Sequence, residues 1–364
     1  MPDPGDLLGR SARMLWPGAG RITRRGVTLL VAGAGVVAAL AVAVLVPVPY
    51  VALTPGPTLN TLGSLSGKPL IQISGRKTFP TRGHLNMVTV SFIGGPQSNF
   101  NVFAALRSWL TPNDAVVPEE EIFTPGQSQQ QVLHQDTEQM VSSQQTATAA
   151  ALCQINIPFR TVDTIQNTVK TMPAYGVLRV GDVITGVGGT PVTCKHDAAT
   201  MIRARQPGAP VTLTIRRGAT TKRVTLKTTN VQGTPEIGVN VAESFVFPFK
   251  VKISIGSIGG PSAGMMFALG IIDKLTNDNL TGGKFIAGTG EITASGQVQP
   301  IGGIQQKMAG ARAAGATVFL TPAANCADTS GAVPAGLRLI KVSTLNGAMH
   351  DLQALKQGQP VPSC

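Results

Sequence analysis

Aromatic residues are scarce: the 364 residues include two Trp and two Tyr, and Phe, Trp and Tyr together make up 4% of the chain. The chain is nonetheless basic, with 30 Lys and Arg against 18 Asp and Glu and a formal charge of +12. Surfaces that bind nucleic acid interleave such cations with aromatic platforms or belong to a recognisable module, and neither is present. A nucleic-acid partner is therefore not expected, and a solvated basic surface near anionic lipid or envelope polymer is the plainer account. No G-x-x-x-x-G-K-[ST] run offers a phosphate loop, and H-E-x-x-H is also absent. The four histidines and four cysteines form no cluster at metal-ligand spacing, so neither a metal nor another cofactor is expected. Only 13% of residues are charged against 43% hydrophobic, which leaves core for two or three domains and an unusually apolar segment besides.

That segment is Val27 to Val46, twenty residues interrupted only by Thr28, Gly33 and Gly35. As a helix it would cross about 30 Å of hydrocarbon. Arg10, Arg13, Arg21, Arg24 and Arg25 precede it against Asp3 and Asp6, so the positive-inside rule keeps the tail cytoplasmic and puts everything after Pro47 outside. A cleaved signal peptide usually has a shorter apolar region, about 7 to 15 residues, and a small-x-small exit site. Here Ala41-Val42-Ala43 lies inside the run, so an uncleaved single-pass anchor in the lipid bilayer is expected. All four cysteines follow it, in a compartment that permits disulfides. Three pairings exist; Cys326 with Cys364 would pin the C-terminal tail, leaving Cys153 with Cys194.

The most informative stretch runs from Val251 to Gly315. Val251, Ile253 and Ile255 alternate with polar neighbours as in a half-buried strand, and the chain breaks at Gly259-Gly260-Pro261 before Ser262. Ala263 to Leu275 is apolar nearly all round, the pattern of a buried helix with Ser262 at or next to its N-cap. Free backbone N–H groups and the positive end of a helix dipole at that point suit the oxyanion of acyl transfer. A nucleophilic serine needs a base. Over Ile304 to Gly315, Lys307 falls on the apolar side with Ile304, Met308 and Ala311, whereas Gln305, Gln306 and Arg312 are expected to face the other way. Burial lowers a lysine's pKa, and a neutral amine can take the proton of serine. The rival G-x-S-x-G elbow would draw on Asp328 and His350, but the hundred or so residues after Ser262 are too few for that fold.

Three motifs in order, Gly260-Pro261-Ser262-Ala263-Gly264, Thr289-Gly290-Glu291-Ile292 and Pro300 to Lys307, resemble the Lon protease catalytic domain over about residues 236 to 350. The resemblance implies Ser262 as nucleophile, Lys307 as general base and Thr289 as a neighbour that orients the lysine. The family commonly has an acidic residue just before its glycine-proline-serine, and here that position is Gly259. The ATPase module that Lon proteases usually carry has no counterpart motif, so ATP-independent action is implied.

A second resemblance is carried by Gly176 to Ile184 (GVLRVGDVI) and Val187 to Val192, which are similar to the core of bacterial PDZ domains over roughly residues 158 to 230. It implies a short helix from Asp197, two strands around Gly218, and capture of extended peptides or chain ends by strand addition. The fold class expected is α+β, with a transmembrane helix, a PDZ-like β-sandwich or barrel and a Lon-type α/β proteolytic domain. The expected division is a cytoplasmic tail 1–26, a transmembrane helix 27–46, an N-terminal α/β extracytoplasmic region 50–157, the PDZ domain 158–230, the proteolytic domain 236–350 and a C-terminal tail 351–364. An anchor, a PDZ domain and a Lon-like domain in this order resemble the secreted-face Lon-like proteases of Gram-positive bacteria, including actinobacteria, serine endopeptidases acting on proteins or peptides. The alternative class is a membrane-tethered PDZ scaffold that has lost turnover.

Overall fold

The computed structural model describes residues 23–364, so Arg10, Arg13 and Arg21 lie outside the described residues. Arg24 and Arg25 open helix α1 (Arg24–Leu45), capped by the Thr23 side chain, which accepts from the Gly26 N–H. Its 22 residues give a length of about 33 Å. Its most apolar window has a mean hydropathy of 2.5 and no buried residue. By length and composition it can cross a membrane, and a signal sequence would meet the same description.

Two sheets follow. The first has six strands in the order β12 (Arg338–Val342), β11 (Val318–Pro322), β10 (Phe285–Gly288), β2 (His84–Gly94), β1 (Tyr50–Asn60) and β3 (Ala115–Pro118). The first four are parallel, whereas β1 runs antiparallel to both of its neighbours. Helices cover both faces, which explains why β11 reads as an unbroken buried run. Leu85, Met87, Ile286, Leu320 and Ile340 point to one face and pack on helix α5 (Gly264–Leu275). The alternate residues Val88, Ala287, Phe319 and Leu339 point to the other and pack on helix α6 (Ile304–Ala313).

The segment 50–157, expected as a region of its own, thus supplies half of this sheet. Leu85 of β2 is in register with Ile286 of β10, roughly 200 residues away. Local periodicity cannot show such a pairing, because parallel strands joined by a long crossover leave no turn signal between them. Helix α2 (Val102–Leu110) follows β2, and helix α3 (Gln129–Gln154) starts from a capping box of Ser128 and Gln131.

The second six-stranded sheet is inserted between these two halves. Its order is β7 (Thr220–Lys227), β6 (Pro210–Arg217), β5 (Val183–Val187), β4 (Arg160–Thr168) and β8 (Val239–Val246), with Thr190–Pro191 paired on β5. Helix α4 (Ala198–Arg203), N-capped by Asp197, packs its Ala198 and Ile202 onto a core of Ile165, Ile184, Leu213 and Ile215. Strand β8 lies beyond residue 230, where the PDZ-like unit was expected to end, because this edge strand returns only after a hairpin of Thr229–Val231 and Thr234–Glu236.

The C-terminal boundary also shifts. Helix α7 (Leu345–Lys356) runs through position 351, since Leu345, Ala348 and Leu352 share one buried face. The remaining tail is held by the Lys341 N–H, which donates to Pro362 O, and by the Cys326–Cys364 disulfide. Cys153 pairs with Cys194, tying α3 to the second sheet's domain.

Candidate active site

The strand β9 (Lys250–Ile253) leads into a turn whose carbonyls and amides are held from two sides. Helix α3 supplies one side: the Gly260 N–H donates to Asp136 O at 3.0 Å, and the Ser143 hydroxyl donates to Pro261 O at 2.9 Å. The strand end of β10 supplies the other. Ser262 O accepts from the Gly290 N–H at 2.8 Å and from the Thr289 hydroxyl at 3.0 Å, and the Met265 N–H donates to Gly290 O. Ser262 is half-buried, immediately ahead of Ala263, the N-cap of α5. Its own N–H and that of Ala263 have no hydrogen-bond acceptor among the described residues.

Two glycines explain the shape of the turn. Gly260 has φ +83, a conformation L side chains rarely adopt. A Cβ at Gly259 would lie 2.5 Å from Cβ of Asp136. A side chain at this position would meet α3.

Lys307 stands in the first turn of α6, after Gly303 in a left-handed cap with φ +66. Its surface is 2% exposed, and it forms neither an ion pair nor a side-chain hydrogen bond among the described residues. Burial alone lowers its pKa from 10.5 to about 7. Ile304, Met308 and Ala311 face the sheet as the spacing predicts, but Gln306 is buried too, at 5% exposed. The short helix is covered on a second side, where Gly310 lies against the Gly56 carbonyl of β1.

Thr289 and Ser262 are joined directly, whereas Thr289 makes no hydrogen bond to Lys307. The resemblance implied that this hydroxyl orients the lysine; in the structure it holds the backbone of the serine. Ser262 Oγ and Lys307 Nζ are not hydrogen-bonded either. Their helices cover opposite faces of one sheet, so the two side chains can meet only past the end of β10. His350, needed by the elbow alternative, has a side chain 83% exposed beside Asp351. Asp136, Ser143 and the Asn325 side chain, which donates to and accepts from Ile301 ahead of α6, were not singled out from sequence. Their only signal was a polar residue among helix formers or in a loop. A cleft of about 290 Å³ opens beside Pro261, between Gln139, Ser142 and Thr146 of α3 and Glu291 and Ile292.

The model of the Lon protease (S16) C-terminal proteolytic domain matches residues 248–352, and that of the PDZ domain matches 139–228. The chain is 31% identical over 151 residues to a Lon protease of Roseiflexus castenholzii, covering 40% of this chain and 18% of that protein. It is 32% identical over 122 residues to Lon protease 1 of Bacillus subtilis, covering 32% of this chain and 16% of that protein. Among solved structures, the PDZ domain of an SdrC-like protein from Listeria monocytogenes matches at 25% identity and a TM-score of 0.21, covering 22% of this chain and 85% of that one. The chain thus matches less than a fifth of the length of these curated relatives. It carries a Lon-type (S16) serine-peptidase domain together with a PDZ domain in a mixed α+β fold.

Proposed function

We propose that this chain is a membrane-anchored serine endopeptidase that works without ATP through a dyad of Ser262 and Lys307. The observation that carries the proposal is the buried, unpaired Lys307, whose pKa of about 7 leaves much of the amine neutral at neutral pH. In the proposed cycle the Ser262 hydroxyl gives its proton to Lys307 Nζ as Oγ bonds to the peptide carbonyl carbon. The oxyanion accepts from the N–H groups of Ser262 and Ala263. Collapse expels the amine, which takes the proton from the Lys307 ammonium. Water then attacks the acyl ester, Lys307 receives its proton, and the free acid and Ser262 are released. Contacts between a base and its nucleophile are commonly long before substrate is bound, so a tightening on binding belongs to the proposal.

In the same reading α1 crosses the cytoplasmic membrane with its arginines inside, and the body from Tyr50 onward works outside. Helix α2 supports this placement. Its preceding residues are clipped to the exit of α1, since Asn101 Nδ2 donates to Val44 O at 2.7 Å and the Val48 N–H to Phe100 O at 2.8 Å. Phe103, Leu106, Trp109 and Leu110 are all exposed beside that exit, a composition suited to headgroup depth. The two disulfides fit an oxidising exterior. Substrate proteins or peptides, including chain ends, would add as a strand to the outer edge of β8, which among the described residues pairs only with β4.

The test is reaction of the detergent-solubilised chain with a serine-directed fluorophosphonate. Labelling is expected at Ser262 and is expected to fall at least tenfold in Lys307→Ala. An unlabelled wild-type chain would instead favour a tethered scaffold without turnover.

A further inference from the structure

A cavity of about 700 Å³ lies between α4, the edge of β8 and residues 293–299 of the proteolytic domain. Asp163, Asp197, Glu236 and Glu243 line it against the single cation Arg203, in a chain whose total charge is +12. The stretch from Thr293 to Gln299 adds no charge. Arg203 and Glu236 offset each other in sign, and Asp197 is occupied as the N-cap of α4, accepting from the Thr200 N–H.

Asp163 and Glu243 have no such explanation. They are direct cross-strand partners on β4 and β8, an arrangement of like charges that destabilises a sheet. Asp163 shares its face with the core residue Ile165, is 5% exposed, and has an Oδ1 with no hydrogen-bond partner. The same domain compensates a buried carboxylate fully where the need is structural: Asp182 binds Arg217 through both oxygens at 2.7 Å. Neither Asp163 nor Glu243 forms an ion pair, the pairs among the described residues being His134–Glu138, Asp182–Arg217 and His350–Asp351. Of the two, Asp163 is buried whereas Glu243 is exposed on the open strand edge. A buried carboxylate with no cation against it is costly, and such departures concentrate where a ligand completes the site.

We propose that Asp163 and Glu243 form a specificity site that selects peptides carrying a Lys or Arg side chain, bound as a strand along the edge of β8. The proposal rests on the reading that this edge takes up peptide. Side chains alternate across a sheet, so every second residue of the added strand stands on the face of Glu243 and Asp163. A cation there would lie opposite Glu243 as Asp163 does on the other side, turning an uncompensated pair into a compensated row.

Both carboxyls are displaced upward by their surroundings. Burial first, and then Asp197, raises the Asp163 carboxyl to about 6. Glu243 is itself exposed, and its carboxyl is also held above the usual carboxylate range, by desolvation first and then by Asp163 and Asp197. A bound cation favours the ionised forms, so selection strengthens as pH rises through this range and fades by about pH 5.

The experiment uses the full chain in detergent with Ser262→Ala to prevent cleavage. Fluorescein-labelled octapeptides of Ala, Ser and Val with a free C-terminus carry Lys, its uncharged analogue norleucine, or Glu at each position in turn. Polarisation at pH 7.5 is expected to show a position where Lys binds about tenfold tighter than norleucine, with Glu weaker still. Adding Asp163→Asn and Glu243→Gln, or lowering the pH to 5, should bring the Lys-to-norleucine ratio towards one and leave norleucine binding unchanged. A ratio of one at every position, with norleucine peptides binding, overturns the charge selection while the edge-strand reading stands. If no peptide binds, the edge-strand reading fails and the selection with it. The two amide substitutions should leave the melting temperature at pH 7.5 equal or higher; a fall of several degrees would mark the carboxylates as structural and overturn the proposal.

Discussion

Replacing Lys307 by Met should stabilise the protein, by an amount that shrinks as pH rises. Methionine is close to lysine in length and apolar, so it fills the same space without an amine. The folded pKa of about 7 lies below the ordinary 10.5, so between those values the unfolded chain binds more protons than the folded one. Stability of the wild type therefore rises with pH across that window. The full displacement corresponds to about 5 kcal/mol. By the same linkage the cost is about 5 kcal/mol at pH 6 and about 2 kcal/mol at pH 9. The advantage of Lys307→Met should thus narrow by about 3 kcal/mol over those three pH units, or roughly 5 °C in melting temperature. Thermal unfolding followed by circular dichroism, on both proteins at pH 6, 7, 8 and 9, reads this directly. A constant gap, or a variant less stable than wild type at pH 6, would refute the buried, unpaired lysine.

Two further substitutions examine the turn that carries Ser262. Thr289→Val keeps the shape of a fully buried side chain but removes the hydroxyl that donates to Ser262 O. A loss of about 1 kcal/mol in denaturant unfolding is expected, with kcat lower by about tenfold and KM nearly unchanged in a fluorogenic peptide assay. A rise in KM alone would show that Thr289 does not act through the serine. Gly259→Ala places a methyl group 2.5 Å from Cβ of Asp136 and should cost about 1–3 kcal/mol. Gly302→Ala, with nothing within 4 Å, serves as the comparison and should stay within about 0.5 kcal/mol. Equal effects at the two positions would contradict the close approach of α3.

The sequence made the local features of the site legible. The alternation at Val251 and Ile253, the glycine-flanked turn and the apolar run to Leu275 all report on structure within about 25 residues. The burial of Lys307 could be read from three-and-four spacing for the same reason, while that of Gln306 could not, because it depends on the distant strand β1. What joins remote segments was hidden. Nothing in His84 to Ile93 indicates that it pairs with a strand roughly 200 residues later. The glutamine-rich helix α3 carries no local sign of its role, yet its Asp136 carbonyl and Ser143 hydroxyl hold the turn before the serine. The acidic pair of Asp163 and Glu243 exists only through the register of β4 and β8, 80 positions apart in the chain.

The dyad is tested most directly by cleavage of a loosely folded protein by the solubilised full chain, without ATP, beside Ser262→Ala and Lys307→Ala. Only the parent should cut, with kcat/KM rising about tenfold per pH unit below pH 7 and levelling above about pH 8, where Lys307 is neutral. Cleavage by the Ser262→Ala chain, or a rate that climbs on to pH 10 as an ordinary lysine would require, would contradict it.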